Sequence, residues 1–347
     1  MEVFIPALKS INPFFDEIIS YSKNTFVFDD FKSYNSSFKT VLIHWPEQLF
    51  KWKEPTEEDL VKLIEAIKLW KQHAKILYVV HNLERHYGMT PQFRALYDLV
   101  ESSCDKMIHF GGVSKELMQN KYPLKQHSII FHPLYKKSYR IYEKQYAREE
   151  LGIDENALVI FVPGIIRDNE ESKMVIKAFK AINKKNKVLL ASRILKKEFS
   201  QDFKGRTFLK KHLKIDVKGI YENYVDGLYK KPQYYFNYNF LELDEFSLML
   251  STADIVFIPR KKILNTGNVF LGMTFKKIII GPDRGNLTEV LQKLKMPLFN
   301  PDDSNSIQKA LQKAIEIFES KAYNYDDNIL KEYDPAILAE QWDEVLN

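Results

Sequence analysis

Three histidines close apolar runs of this sequence. His44-Trp45-Pro46-Glu47 ends the run from Thr40, His81-Asn82 the run from Ile76, and His132-Pro133 the run from Ser128. A polar side chain at the carboxyl end of a buried strand points toward the place where open α/β sheets hold ligands. Imidazole and carboxylate groups there could move protons near neutral pH. Each histidine also has an ordinary reading: His44 packed with Trp45, His81 bonded to a backbone carbonyl, His132 as much structural as functional. Cations recur at further run ends. Gly164 and Arg167 follow Leu158–Val162, Arg193 follows Val188–Ala191, and Arg260 follows Ile255–Ile258. Asn265-Thr266-Gly267 reads as a helix start. Free amides and the helix dipole make such a start an anion site, although Asn and Thr also cap ordinary helices. Guanidinium groups nearby suit concentrated phosphate charge.

Other chemistries lack their patterns. His81 and His86 are five apart, off the i,i+4 face that a helical metal site uses, so no metal ligand set is expected. There is no Walker loop, and no G-x-G-x-x-G follows a strand, which disfavours P-loop and dinucleotide enzymes.

Short apolar runs must position these groups. Strands are expected at Val3–Pro6, Thr25–Phe28, Thr40–Trp45, Ile76–His81, Lys106–Phe110 and Ser128–Phe131. A second set is expected at Leu158–Val162, Val188–Ala191, Ile255–Ile258 and Lys277–Ile280. Runs without polar alternation are buried on both faces, hence parallel sheets covered by helices. Thr56 with Asp59 signals a capped helix to Ala74, and Pro91 opens one to Cys104. Further helices are expected at Ser172–Ile182, Leu243–Thr252, Thr266–Phe275, Leu287–Leu294 and Ser304–Ser320. Two rounds of alternating elements imply two doubly wound, Rossmann-like α/β domains, with a seam near Tyr135–Ile153 and the default active site in the cleft between them.

Composition agrees with two cores. The 347 residues are 45% hydrophobic and 14% aromatic, too apolar for a disordered chain. Cys104 is the one cysteine, so an intrachain disulfide is excluded and a reducing compartment fits. Met1–Ser10 is no secretory signal, and no apolar run reaches membrane-spanning length. A cytoplasmic protein is expected, with any membrane contact peripheral. Net charge is +5, which specifies no nucleic-acid partner. Lys173–Lys231 holds 17 Lys+Arg against 5 Asp+Glu. Such a stretch is either a solvated face or a surface attracting phosphates or anionic lipid.

The sequence resembles the GT-B glycosyltransferases, and is similar to the family-four type of bacterial sugar transferases that build surface polysaccharide or lipid-linked glycans. The resemblance rests on Ile11-Asn12-Pro13, Val41–Glu47, Val79–Leu83, Lys106–Gly111 and Ile129–Tyr135. In the second half it rests on Ala147–Ile153, Gly164–Arg167 with Ala178-Phe179, Ala253–Arg260 and Ile263–Gly267. It implies an acceptor-side domain over residues 1–140, a nucleotide-sugar domain over 141–330, and a last helix, within 331–347, that returns to the first domain.

By the same resemblance, the donor diphosphate would rest on Asn265–Gly267, with Gly164, Arg167, Arg193 and Arg260 in support. His81 would lie near the transferred sugar. Asn12, His44, Trp45 and His132 would lie on the acceptor side, and Glu47 or a histidine would serve as base if the reaction inverts. The chain departs from the family pattern at Ile165 and Glu170, where the family has an arginine and a lysine. It departs again at Leu264 and Gly272, in place of two glutamates eight apart. The implied activity is metal-independent transfer from a UDP-, GDP- or dTDP-sugar to a glycan or lipid-linked glycan, with no separate cofactor. The rivals are a catalytically weak nucleotide- or sugar-binding homologue or scaffold, and an epimerase or hydrolase of the same layout.

Overall fold

The computed structural model describes residues 1–85, 88–194 and 217–347. His86 and the middle of the basic stretch Lys173–Lys231 therefore lie outside the described residues. Six parallel strands form the first sheet: β1 (Glu2–Ile5), β2 (Thr25–Phe28), β3 (Thr40–Ile43), β4 (Lys75–Val79), β5 (Lys106–His109) and β6 (Gln126–Ile129). Their spatial order is β2-β1-β3-β4-β5-β6. The second sheet has β7 (Leu158–Val162), β8 (Lys187–Ser192), β9 (Tyr234–Asn237), β10 (Ile255–Phe257), β11 (Ile278–Pro282) and β12 (Leu298–Phe299), ordered β12-β11-β10-β7-β8-β9. Both are the doubly wound sheets that the apolar runs implied, but the short edge strands β9 and β12 were not among the expected strands. The central strands β3, β7 and β10 are buried throughout.

The expected strands over Thr40–Trp45 and Ile76–His81 stop at Ile43 and Val79. Ladder pairing ends there, and the chain turns. The His81 amide donates back to the Val79 carbonyl at 3.0 Å. This leaves His44 and His81 just beyond the sheet.

Helices flank both sheets: α1 (Phe14–Ile19), α2 (Glu57–His73), α3 (Pro91–Ser103), α4 (Gly112–Lys121), α5 (Lys144–Leu151), α6 (Asn169–Lys180), α7 (Val217–Leu228) and α8 (Leu243–Thr252). Then come α9 (Gly267–Thr274), α10 (Gly285–Lys293), α11 (Ser304–Ser320), α12 (Asp327–Lys331) and α13 (Pro335–Leu346). Thr56 and Asp59 form the reciprocal cap of α2. Helix α6 starts earlier than its apolar periodicity suggests, because Asp168 accepts the Glu170 and Glu171 amides at 2.8 Å each.

Two tethers join the halves. Glu17 is fully buried and accepts the amides of Lys136, Lys137 and Ser138 (2.8–3.1 Å at the nearer oxygen) and the Ser138 hydroxyl at 2.7 Å. One carboxylate thus grips the crossover segment. Helix α13 packs Leu338, Trp342 and Leu346 against Val3, Ile5 and Leu42 of the first sheet. Its Asp343 accepts the Lys23 amide and the Asn24 side chain, each at 2.9 Å.

In the described part of the basic stretch, most lysines are exposed, while Lys187 is buried and Arg193 is half-buried. Lys173, Lys177 and Lys180 are exposed on α6. Lys187 is buried and donates to the carbonyls of Phe179 and Ile182 at 2.9 and 2.6 Å, closing the end of α6. No helix among the described residues is long and apolar enough to cross a membrane.

Candidate functional site

A cavity of about 320 Å³ lies between the two lobes at the carboxyl ends of β7 and β8. Its floor is Gly164 and Ile165 after β7, Ser192 and Arg193 after β8, and Gly267 and Asn268 at the start of α9. Asn12 and Pro13 close it from the first lobe, Tyr135 and Tyr139 from the crossover, and Phe240, Leu241 and Phe246 form an apolar wall. The start of α9 therefore borders the cavity, with the Tyr135 hydroxyl against Gly267, where a Cβ would lie 2.6 Å from it. Thr266 caps this helix, its hydroxyl accepting the Asn268 amide at 3.2 Å, and the Asn268 side chain donates to the Pro163 carbonyl at 3.0 Å. That bond holds the helix start against the Gly164 loop. Gly164 has φ +80°, a left-handed conformation that glycine adopts at little cost, and its amide donates to Ser192 Oγ at 2.8 Å.

Arg193 is the single charged side chain among the described lining residues. It too is left-handed, at φ +55°. Such backbone strain in a non-glycine residue gathers at functional sites.

The other two expected cations are committed elsewhere. Arg260 is buried, donates to Glu171 at 2.5 Å and to the Ile165 carbonyl at 2.6 Å, and does not line the cavity. Glu171 also accepts the Arg167 amide at 2.9 Å, so the buried pair shapes the loop 164–167 from beneath. Arg167 reaches outward to the Lys262 carbonyl at 3.1 Å. Asn265 works between lobes. Its side chain donates to the carbonyls of Val80 and His81 at 3.2 and 2.8 Å and accepts from Asn286 at 2.7 Å. Asn286 in turn accepts the Ser114 amide at 3.0 Å, and Glu289 accepts the amides of Gly112 and Val113 at 2.9 Å each. The first turn of α4 is thus capped by α10 of the other lobe. Gly111 permits this approach: a Cβ there would lie 2.7 Å from the Asn286 side chain. Leu264 packs into the first lobe's core, and a side chain at Gly272 would strike Ile279.

The three strand-end histidines come together around Phe14 of α1. Its ring centre is 5.0 Å from His44, 5.9 Å from His81 and 5.0 Å from His132. His44 and His81 are hydrogen-bonded through their Nε2 atoms. Trp45 stacks on His81 at 4.4 Å and an interplanar angle of 12°. The His132 ring bonds the Pro133 carbonyl at 2.8 Å through Nδ1, so Nδ1 carries the proton and Nε2 accepts the Tyr135 hydroxyl at 3.3 Å. Burial holds His132 down to about 4. His44 lies well below the usual imidazole range, chiefly through burial and secondarily through His132.

Glu47 is also buried. One oxygen accepts the Tyr97 hydroxyl at 2.8 Å, the other has no hydrogen-bond partner, and burial raises its carboxyl above the usual range. It lines neither the interlobe cavity nor the smaller one described next.

That second cavity, of about 100 Å³, opens in the first lobe between Trp45, Trp52, Phe15, Phe28 and His44, with Ser10, Asn12 and Gln48 around it. Asn12 lines both cavities. Trp52, Gln48, Tyr135, Tyr139 and Phe246 were not anticipated from sequence. The pair Trp45 and Trp52 flanking a Pro-Glu-Gln turn was the one available signal.

The sequence matches no protein-family model and no curated protein. Solved structures do resemble this chain. HepE from Anabaena, solved with UDP and glucose, superposes with a TM-score of 0.69 at 12% identity, over 100% of this chain and 99% of that one. WaaG, a glycosyltransferase of lipopolysaccharide biosynthesis, gives 0.63 at 12% identity over 100% of both chains. Sucrose-phosphate synthase from Thermosynechococcus elongatus gives 0.61 at 14% identity over 89% of this chain and 73% of that one. With two six-stranded parallel sheets facing across a cleft, this chain has the GT-B fold.

Proposed function

We propose that the protein is a glycosyltransferase that takes its sugar from a nucleotide-sugar, with a UDP-sugar as the first donor to try. The observation that carries this is the start of α9 opening into the interlobe cavity beside Arg193. A diphosphate leaving group gains charge as the sugar departs. The dipole and first-turn amides of a helix, with one guanidinium, stabilise that charge without proton transfer. The similarity to HepE, solved with UDP and UDP-glucose, supports the donor class.

The acceptor, a glycan or lipid-linked glycan, would enter from the first lobe, where Asn12 links the two cavities. Glu47 is too enclosed to serve as base in this arrangement. His44, neutral and beside the smaller cavity, takes its place if the reaction inverts. No group of three or more His, Cys, Asp or Glu among the described residues could hold a metal ion. The proposal assigns the leaving-group charge to α9 and Arg193, so chelation with EDTA is expected to leave turnover unchanged.

Incubation with a panel of nucleotide-sugars, with and without glycan acceptors, tests the reading through released nucleoside diphosphate. Arg193→Ala should weaken UDP binding by about 1.5–3 kcal/mol, a loss of roughly tenfold to a hundredfold, while the melting temperature holds. Unaltered UDP affinity in that variant would remove the leaving-group site from this cavity. Tight nucleotide binding with no turnover across the panel would favour a binding or scaffold protein instead.

A further inference from the structure

We infer that the cavity beside Trp52 is a pyranose subsite, in which one face of a sugar ring lies against the Trp52 indole. Trp45 and Trp52 meet at 5.7 Å with an angle of 52°, forming two walls of a corner. Trp45 is fixed from behind by its stack on His81. Trp52 is half exposed at 50%, so its face is available to a ligand.

The backbone that presents it is unusual. Lys51 and Trp52 are consecutive left-handed residues, at φ +54° and +66°. Two side-chain-bearing residues in that region cost free energy that the surroundings must offset. Here the Lys51 and Trp52 amides donate to the carbonyls of Gln48 and Glu47 at 3.0 and 2.8 Å. This holds the indole over the cavity rather than folded onto the core.

Polar groups surround the aromatic corner, and Lys9, the one charged residue among the described lining residues, is paired with Asp16 at 2.5 Å. The Asn12 carbonyl oxygen accepts the Phe14 amide at 3.0 Å, which orients its NH₂ group. Gln48 and Ser10 also line the space. An apolar face flanked by amide and hydroxyl groups, with one ion-paired lysine at the edge, matches a pyranose, whose ring presents C–H bonds on its faces and hydroxyls around its rim. Because Asn12 also lines the interlobe cavity, a ring seated here has its edge toward the donor side. The ring's part as acceptor rests on the transferase reading. Its binding does not, and can be measured without a donor.

The test is saturation-transfer NMR with the methyl pyranosides of glucose, galactose, mannose and N-acetylglucosamine, on the full chain without nucleotide. At least one is expected to receive transfer mainly at the C–H protons of one ring face. Trp52→Ala should weaken its binding roughly fivefold to tenfold, and Trp52→Phe should restore most of it. UDP affinity and melting temperature, measured on the same variants, are expected to hold and show that the fold is intact. No transfer to any of the four sugars, or binding within twofold of the parent in Trp52→Ala, overturns the proposal. So does loss of binding to anionic phosphatidylglycerol vesicles in Trp52→Ala with sugar binding unchanged, which would assign the indole to a bilayer. Sugar binding in a protein that binds no UDP would sink the donor reading and leave this subsite standing.

Discussion

Acidification from pH 7 to pH 5 should lower the unfolding free energy steeply, before most carboxylates titrate. Two buried histidines set this expectation. His132 is held down to about 4 by burial, and His109 to about 3, chiefly by burial and then by His127 and Lys115. In the unfolded chain both titrate near the ordinary imidazole value of about 6.5. Between that value and the folded one, the unfolded state holds a proton that the native state refuses. Stability is thus full above about pH 6.5 and falls as pH drops toward the folded values. Each histidine contributes about 1.4 kcal/mol per pH unit across that window.

Geometry explains the refusal. His127 Nε2 bonds the Tyr122 carbonyl at 3.1 Å, so its Nδ1 accepts from His109 Nε2 at 3.0 Å. His109 Nδ1 is buried without a partner, and a proton added there would find no acceptor. His44 is depressed in the same direction. Glu47 acts oppositely, since its raised carboxyl makes protonation in acid easier for the folded chain. Urea denaturation at half-unit pH steps measures the sum, and His132→Phe, beside the ring of Phe270 at 4.4 Å, should flatten the curve. A stability curve level between pH 6.5 and 5 would contradict the assignment of these rings as buried and neutral.

Arg260→Ala should destabilise the protein by about 3–5 kcal/mol, the cost of breaking a buried ion pair from one side. Glu171 would remain buried beneath loop 164–167 with its countercharge gone, and the Ile165 carbonyl would lose its donor. Chemical denaturation reads the loss, and adding Glu171→Gln should recover part of it, because the stranded charge is then removed. The contrast with Arg193→Ala is the decisive feature: one arginine holds the loop's shape and the other offers charge to the cavity. Equal stability losses in both variants would erase that distinction.

The sheets were legible because their burial is written locally, as runs such as Leu158–Val162 and Val41–Ile43 with no polar alternation. The convergence of His44, His81 and His132 was legible for the same reason, since strand ends of a parallel sheet share one edge. Pairings across long stretches of chain were not. Nothing near Arg260 in sequence announces Glu171, and nothing near Asn265 announces the strand-end carbonyls or Asn286. Helix α1 has only six residues, and the polar helix α4 takes its cap from the other lobe, so neither carried a local signature. Glu47 looked like a base because it follows a histidine at a strand end. The turn after β3 instead carries it inward against Tyr97.

The borrowed cap on α4 makes the gap between the lobes costly to widen. Separation at that edge would exchange the Gly112, Val113 and Ser114 amide bonds for bonds to water and pull Asn265 off the Val80 and His81 carbonyls in the same stroke. The start of α9, the proposed seat for a leaving group, and the strand-end His81 would drift apart together. Under the proposed function, the affinity for a nucleotide would include the energy of keeping that seam closed. Glu289 gives the seam a charge, so high salt should loosen it.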